Sequence, residues 1–266
     1  MAEGLINQDE LIDRCFSRPV ASAIVAVVRP TPVTPNMLTF VAACFGVAAG
    51  VFLALQEGVW AAVMVFAYLA FDCSDGQLAR SRGGGGLMGR IADGLGDYVA
   101  ATAIHIGLVI WLADGYGWIV AFPVTVGAGF SMGWTSLLLD RYKQRYRGTP
   151  DDFDAIDEAV QGASWFERAM IRTFRSYASR VDGGVVIPDL AAYQQRVRFP
   201  MRLWLWVGPT THFATLAICA VLDTPLSYAF IACVPMNLWG DITMLIQRRL
   251  ERRRPAVVQE GGDESA

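Results

Sequence analysis

Four aspartates lie between residues 72 and 97 in the pattern Asp72-x-x-Asp75-Gly76-x-x-Ala79-Arg80, then eight residues, then Gly89-x-x-x-Asp93-x-x-x-Asp97. On a helix, residues three and four apart share a face, so Asp72 can converge with Asp75, and Asp93 with Asp97. Two helices that each offer a pair of carboxylates can enclose metal. With no Cys or His in the pattern, an all-oxygen ligand set favours hard cations, Mg²⁺ or Mn²⁺, over zinc. Gly76 and Gly89 leave backbone room beside the acids for something bulky. The surrounding stretches are apolar, and a charged side chain in a membrane helix costs roughly 3 kcal/mol, so clustered acids there mark an ion, proton or substrate site.

The elements that must position these acids follow from hydropathy. The chain is 54% apolar and 18% charged over 266 residues, which reads as a polytopic membrane protein. Hydrophobic runs near the roughly 20 residues needed to cross a bilayer cover 36–55, 59–79, 88–112, 117–139, 203–221 and 226–247, predicting six transmembrane helices. The connections at 56–58, 113–116 and 222–225 carry no Lys or Arg, and all 22 basic residues fall on the other side. The positive-inside rule therefore places both termini, the acidic array and the segment Asp140 to Arg202 in the cytoplasm of a multi-pass protein of the cytoplasmic (inner) membrane. The net charge of −3 implies no nucleic-acid partner, because acids gather at 151–158 and in the tail while bases line the membrane surface and its lipids. Five cysteines, Cys15, Cys44, Cys73, Cys219 and Cys233, show neither disulfide nor metal spacing and read as packing residues. No cleavable signal peptide is expected.

The sequence predicts an all-α integral membrane protein in five parts. Residues 1–33 form a cytoplasmic, interfacial segment in which Asn7 and Glu10 resemble a capping box, followed by an amphipathic surface helix that continues past Pro19 to Val28. Residues 34–140 hold spans one to four with the acidic motif. Residues 141–201 form a helical cytoplasmic insert between spans four and five, too long for a plain loop, with helix starts at Thr149-Pro150, at Ser164-x-x-Glu167 and at Pro188-Asp189, the last running toward Phe199. Residues 202–254 hold spans five and six and a basic end, and 255–266 a disordered tail.

The aspartate array resembles the motif of the CDP-alcohol phosphotransferase (CDP-alcohol phosphatidyltransferase) family at every specified position, and Thr34-Pro35-Asn36-x-x-Thr39 resembles a second element of it. The likeness covers roughly residues 20–140. It implies transfer of a phosphatidyl, or phosphoryl-alcohol, group from CDP-diacylglycerol or a related CDP-alcohol to a hydroxyl acceptor, with release of CMP, in phospholipid biosynthesis. By this resemblance Asp72, Asp75, Asp93 and Asp97 ligate two Mg²⁺ or Mn²⁺ ions, and Asp97 is also the general base. Asn36, Thr39, Gly76, Ala79, Arg80 and Gly89 then bind the CDP-alcohol. Two divalent ions suit the chemistry, since displacement at a diphosphate develops negative charge on both attacking and leaving oxygens. The resemblance also implies a homodimer.

The acceptor carries no such signature. A polyol phosphate such as inositol phosphate or glycerol phosphate needs cations near the site, and Arg90, Arg141, Arg202 and Arg248 lie at the right depth. Gly83 to Gly86 read as a turn rather than a phosphate loop, and His105, two turns beyond Asp97, as a packing residue. His212, Asn237 and Asp241 either line an acceptor cavity or bond across helices. Gly46-x-x-x-Gly50 and Gly129-x-x-x-Gly133 allow close helix contact within or between subunits. The alternative function is a divalent-cation or proton-coupled transporter using the acids as its ion site.

Overall fold

Inside a bilayer no water pairs with backbone N–H and C=O groups, so apolar runs of spanning length satisfy them internally as helices. The computed structural model describes residues 6–84, 87–148, 187 and 189–252, with single positions between 168 and 176. Its helices are α1 (Arg18–Val28), α2 (Pro35–Ala54), α3 (Gly58–Ser81), α4 (Leu87–Tyr116), α5 (Trp118–Arg147), α6 (Leu190–Arg196), α7 (Arg198–Trp204), α8 (Pro209–Val221), α9 (Pro225–Ile231) and α10 (Asn237–Arg252). The described residues contain no strand. Among the described residues, six candidate spans are long and apolar enough to cross a membrane. The chain is a multi-pass, all-helical integral membrane protein.

α2 to α5 are continuous spans, and α2 packs along both α3 and α4. Glycines on α2 make that packing close. A Cβ on Gly46 would overlap Ala100, and one on Gly50 would overlap the Ala103 carbonyl, while Gly107 of α4 abuts Gly50 in return. The Gly46-x-x-x-Gly50 pair therefore serves a contact within the chain. A Cβ on Gly129 would stand 3.3 Å from the His105 ring, whereas one on Gly133 would meet nothing within 4 Å.

The fifth span is discontinuous and the sixth carries a π-helical turn, both of which their hydropathy concealed. The fifth consists of α7 and α8, separated at Leu205–Gly208, where Gly208 is extended and Pro209 opens α8. The residue before a proline is driven out of helical geometry, so Gly208-Pro209 held the local signal for this break. In the sixth, α9 and α10 are joined by a π-turn at Ala232–Met236 that contains Pro235. A proline inside a helix lacks the N–H and crowds the preceding turn, and a wider turn relieves both. Asn237 donates its amide to the Cys233 carbonyl at 3.1 Å.

The N-terminal segment corrects one expectation. Asn7 accepts from the Asp9 backbone, but Glu10 does not close a capping box with it. Its carboxylate instead accepts from the Thr210 and Thr211 N–H groups, at 3.3 and 2.9 Å, and from the Thr211 hydroxyl at 2.8 Å. It caps α8, whose first N–H groups lost their helical partners at the break. Asp13 accepts from the Thr210 hydroxyl at 3.2 Å. Gly208 is required beneath, because a Cβ there would overlap Glu10 Oε1.

A π-turn at Asp13–Ser17 then leads into α1, which lies against α3 and is tied to it where Ser22 donates to Gln77 at 3.0 Å. Arg82, at the end of α3, donates to the carbonyls of Val33, Arg29 and Thr31 at 2.6, 3.2 and 3.0 Å, so this guanidinium organises the link into α2. Gly83 and Gly84, at φ of 103° and 98°, make the turn after α3.

The helix starts expected at Thr149 and Ser164, and the tail from 255, lie outside the described residues. α5 runs on to Arg147, across the boundary expected at 140, and carries Arg141, Lys143, Arg145 and Arg147 as part of the span's own helix. The helix expected from Pro188-Asp189 forms with Asp189 capping the Ala192 N–H at 2.9 Å, but turns at Val197 between α6 and α7.

Candidate active site

α3 and α4 are consecutive spans that flank α2, so their acidic ends meet beside the first turns of α2. The carboxyls approach one another across the helices, Asp72 towards Asp97 and Asp75 towards Asp93, close enough to share a proton or a cation. The i, i+3 and i, i+4 spacing puts each pair of acids on one face, and the opposed run of the two helices brings 72 to 97 and 75 to 93. One oxygen each from Asp72, Asp75 and Asp93 lies within 4.8 Å of the others. Like charges this close repel, so such an array must hold a proton or a cation between its members. Three carboxylate oxygens at this spacing fit a hard divalent ion, whose ligand distances are about 2.0–2.6 Å. Asp97 lies at the edge of that trio, joined to it through Asp72.

Neighbouring side chains fix these acids. Thr39, on α2, donates its hydroxyl to Asp75 Oδ2. Tyr68, one turn before Asp72 on α3, donates to Asp97 Oδ1 at 2.8 Å. Arg80 folds back over Gly76, its Nη1 3.2 Å from where a Cβ would stand, and its charge acts on Asp75 and Asp93. A side chain at position 76 would have to displace that guanidinium. Asn36 Oδ1 lies 4.0 Å from the Cβ position of Gly89, so these two expected donor-binding residues face one another across α2 and α4.

The expected acceptor arginines are more dispersed. Arg90, Arg202 and Arg248 are exposed on α4, α7 and α10, and Arg248 hydrogen-bonds Tyr142. Arg141 is half-buried on α5, and its Nε is a buried atom with no hydrogen-bond partner. His105 Nδ1 donates to the Ala101 carbonyl at 2.8 Å, which fits packing. His212 is fully buried with its Nε2 3.2 Å from Thr135 Oγ1, a bond across helices, while Asp241 is exposed.

The family model described as CDP-alcohol phosphatidyltransferase matches residues 32–149, a stretch that contains all four aspartates, Asn36, Thr39 and the α3–α4 turn. Over this stretch, less than half of the chain, the protein is similar to that family. The chain is 37% identical over 119 residues to phosphatidylinositol phosphate synthase of Mycobacteroides abscessus, covering 43% of the chain and 50% of that protein. It is 37% identical over 101 residues to phosphatidylinositol phosphate synthase of Corynebacterium glutamicum, covering 37% of the chain and 43% of that protein. The chain thus spans about half the length of the curated relatives it matches. A crystal structure of Mycobacterium tuberculosis phosphatidylinositol phosphate synthase with CDP-DAG bound aligns over 87% of the chain and 92% of its own, at 18% identity and a TM-score of 0.42. Arg202 and Arg248 fall outside the matched stretch.

Two contacts escaped the sequence reading, one at the site and one at the start of α8. Tyr68 had a local signal, since it stands four residues before Asp72 on the same helical face. The Glu10 cap had none.

Proposed function

We propose that the protein transfers a phosphatidyl, or other phosphoryl-alcohol, group from CDP-diacylglycerol or a related CDP-alcohol to a hydroxyl acceptor, releasing CMP in phospholipid biosynthesis. The observation that carries this reading is the convergence of Asp72, Asp75 and Asp93, one oxygen of each within 4.8 Å of the others, inside the stretch that the CDP-alcohol phosphatidyltransferase model matches. Asp72, Asp75, Asp93 and Asp97 hold two Mg²⁺ or Mn²⁺ ions, which supply charge neutralisation at the diphosphate when bound. Asn36, Thr39, Gly76, Ala79, Arg80 and Gly89 receive the CDP moiety. The small residues let it approach the helix backbone, and Arg80 offers a guanidinium to phosphate.

The acceptor hydroxyl gives its proton to Asp97 while its oxygen forms a bond to the lipid-bearing phosphorus. The bond from that phosphorus to the bridging oxygen breaks, and CMP departs with the electron pair. The relatives named phosphatidylinositol phosphate synthase make an inositol phosphate the first acceptor to try, with Arg90, Arg141, Arg202 and Arg248 as its cations. On the same reading the site and both termini face the cytoplasm, and the protein works as a homodimer. The transport alternative gains no support from the family assignment.

The test is CMP release by the purified protein supplied with CDP-diacylglycerol, Mg²⁺ or Mn²⁺ and a panel of polyols and polyol phosphates. Wild type should release CMP with at least one acceptor, and Asp97→Asn should fold yet lose the activity. No release above the Asp97→Asn level with any pair overturns the proposal.

A further inference from the structure

Tyr68 is a tyrosine within the apolar body of the bundle, 3% exposed, its ring edge-on to Phe213 of α8 at 5.5 Å and 87°. A buried phenol needs a partner for its single proton, and this one has Asp97 Oδ1 at 2.8 Å. A carboxylate only accepts, so Tyr68 is the donor. The hydroxyl therefore reaches Asp97 from the protein interior. Asp97's remaining contact in the array is with Asp72, on the side where the acids gather. One carboxylate oxygen, Oδ1, is thus tied to the core, and the other is left without that tie.

From this geometry we infer that Tyr68 is a positioning residue for the transfer reaction: its hydroxyl holds Asp97 Oδ1, fixes the carboxylate's rotation and leaves Oδ2 to take the acceptor's proton. The inference rests on the proposed transfer and adds to it. A carboxylate hung from one χ2 torsion has broad rotational freedom, and a base that must meet a proton at hydrogen-bond distance loses rate when that torsion is loose. The rigid mount is the ring, packed on Phe213 from another span. Tyr68 does not touch the reacting atoms, so its removal slows the chemical step and spares donor binding.

The experiment is Tyr68→Phe, which keeps the ring and its packing and removes only the hydroxyl, measured by CMP release against donor and acceptor concentration. The expected result is a fall in kcat of about ten- to hundredfold, the scale of a small misplacement of a catalytic group, with donor KM within about twofold of wild type. Tyr68→Leu, which removes the ring as well, should give a similar fall. If Tyr68→Leu falls but Tyr68→Phe does not, packing is the cause and the inference is overturned. A cycle with Asp97→Glu separates action through Asp97 from action elsewhere. Once the longer side chain has moved the carboxylate off the hydroxyl, adding Tyr68→Phe should cost less than about threefold, whereas independent, multiplicative losses overturn the inference. A wild type that releases no CMP overturns the transfer reading and this one together. An active wild type whose Tyr68→Phe variant turns over within twofold overturns the role of Tyr68 alone.

Discussion

Glu10 offers a sharp test of how the broken fifth span is held. It lies outside the spans, yet is only 1% exposed. Burial pushes its carboxyl from the usual 4.5 up to about 7, with Lys143 opposing, Asp13 adding and the Thr211 hydrogen bonds opposing. A folded-state value above the unfolded one means the native protein binds the extra proton. The stability from this group is therefore full below pH 4.5, declines as pH rises, and is lost above about pH 7. At about 1.4 kcal/mol per unit, the interval amounts to up to about 3 kcal/mol. For a chain of this size, that corresponds to a shift in Tm of roughly 6–12 °C. Other acids titrate over the same range, so the informative quantity is the difference from Glu10→Gln, which cannot titrate. Melting in detergent micelles should show wild type ahead of Glu10→Gln at pH 5 and that lead shrinking by up to about 6–12 °C at pH 8. Glu10→Ala should melt below wild type at both pH values, because it leaves two buried N–H groups of α8 unpaired, at about 1–3 kcal/mol each. A wild-type lead that does not change with pH refutes the burial argument. A Glu10→Ala variant as stable as wild type at pH 5 refutes the cap itself.

Gly50→Ala sets a Cβ against the Ala103 backbone, which cannot move aside as a flexible side chain would, and should cost about 1–3 kcal/mol; a Tm within 1 °C of wild type, taken as roughly the measurement error, would show that α2 and α4 part without cost. Arg82→Ala frees three carbonyls of the link before α2. Because the guanidinium is exposed, the loss is held to about 1–2 kcal/mol, and hydrogen–deuterium exchange should speed up at residues 29–34; unchanged protection there counts against the clamp. Thr39→Val keeps the side-chain shape and removes the hydrogen bond to Asp75, so the Mg²⁺ or Mn²⁺ concentration for half-maximal CMP release should rise about tenfold. An unchanged metal requirement would mean that Thr39 does not orient the carboxylate.

Much of the fold was legible because its signals are local. Spans one to four could be placed within a few residues at most ends from hydropathy, and Gly83-Gly84 could be read as a turn, since each depends on neighbouring residues. The exception in α5 has a local cause too: a helix does not stop where hydropathy does, and the polar turns to Arg147 continue it. The break in span five and the π-turn in span six were written in Gly208-Pro209 and Pro235, but a hydropathy run averages over a single proline and hides them.

The spacing of Asp72, Asp75, Asp93 and Asp97 determined by itself that each helix offers a two-carboxylate face, because helical geometry is set every turn by the backbone. Tertiary structure alone decided that the pairs form across helices, Asp72 with Asp97 and Asp75 with Asp93, through the way α3 and α4 flank α2. It also decided that Tyr68 meets Asp97, 29 residues on, and that Glu10 caps Thr211, 201 residues away. Contacts of that separation leave no periodic trace in a sequence, because burial and hydrogen-bond need select the partner only once the helices have packed.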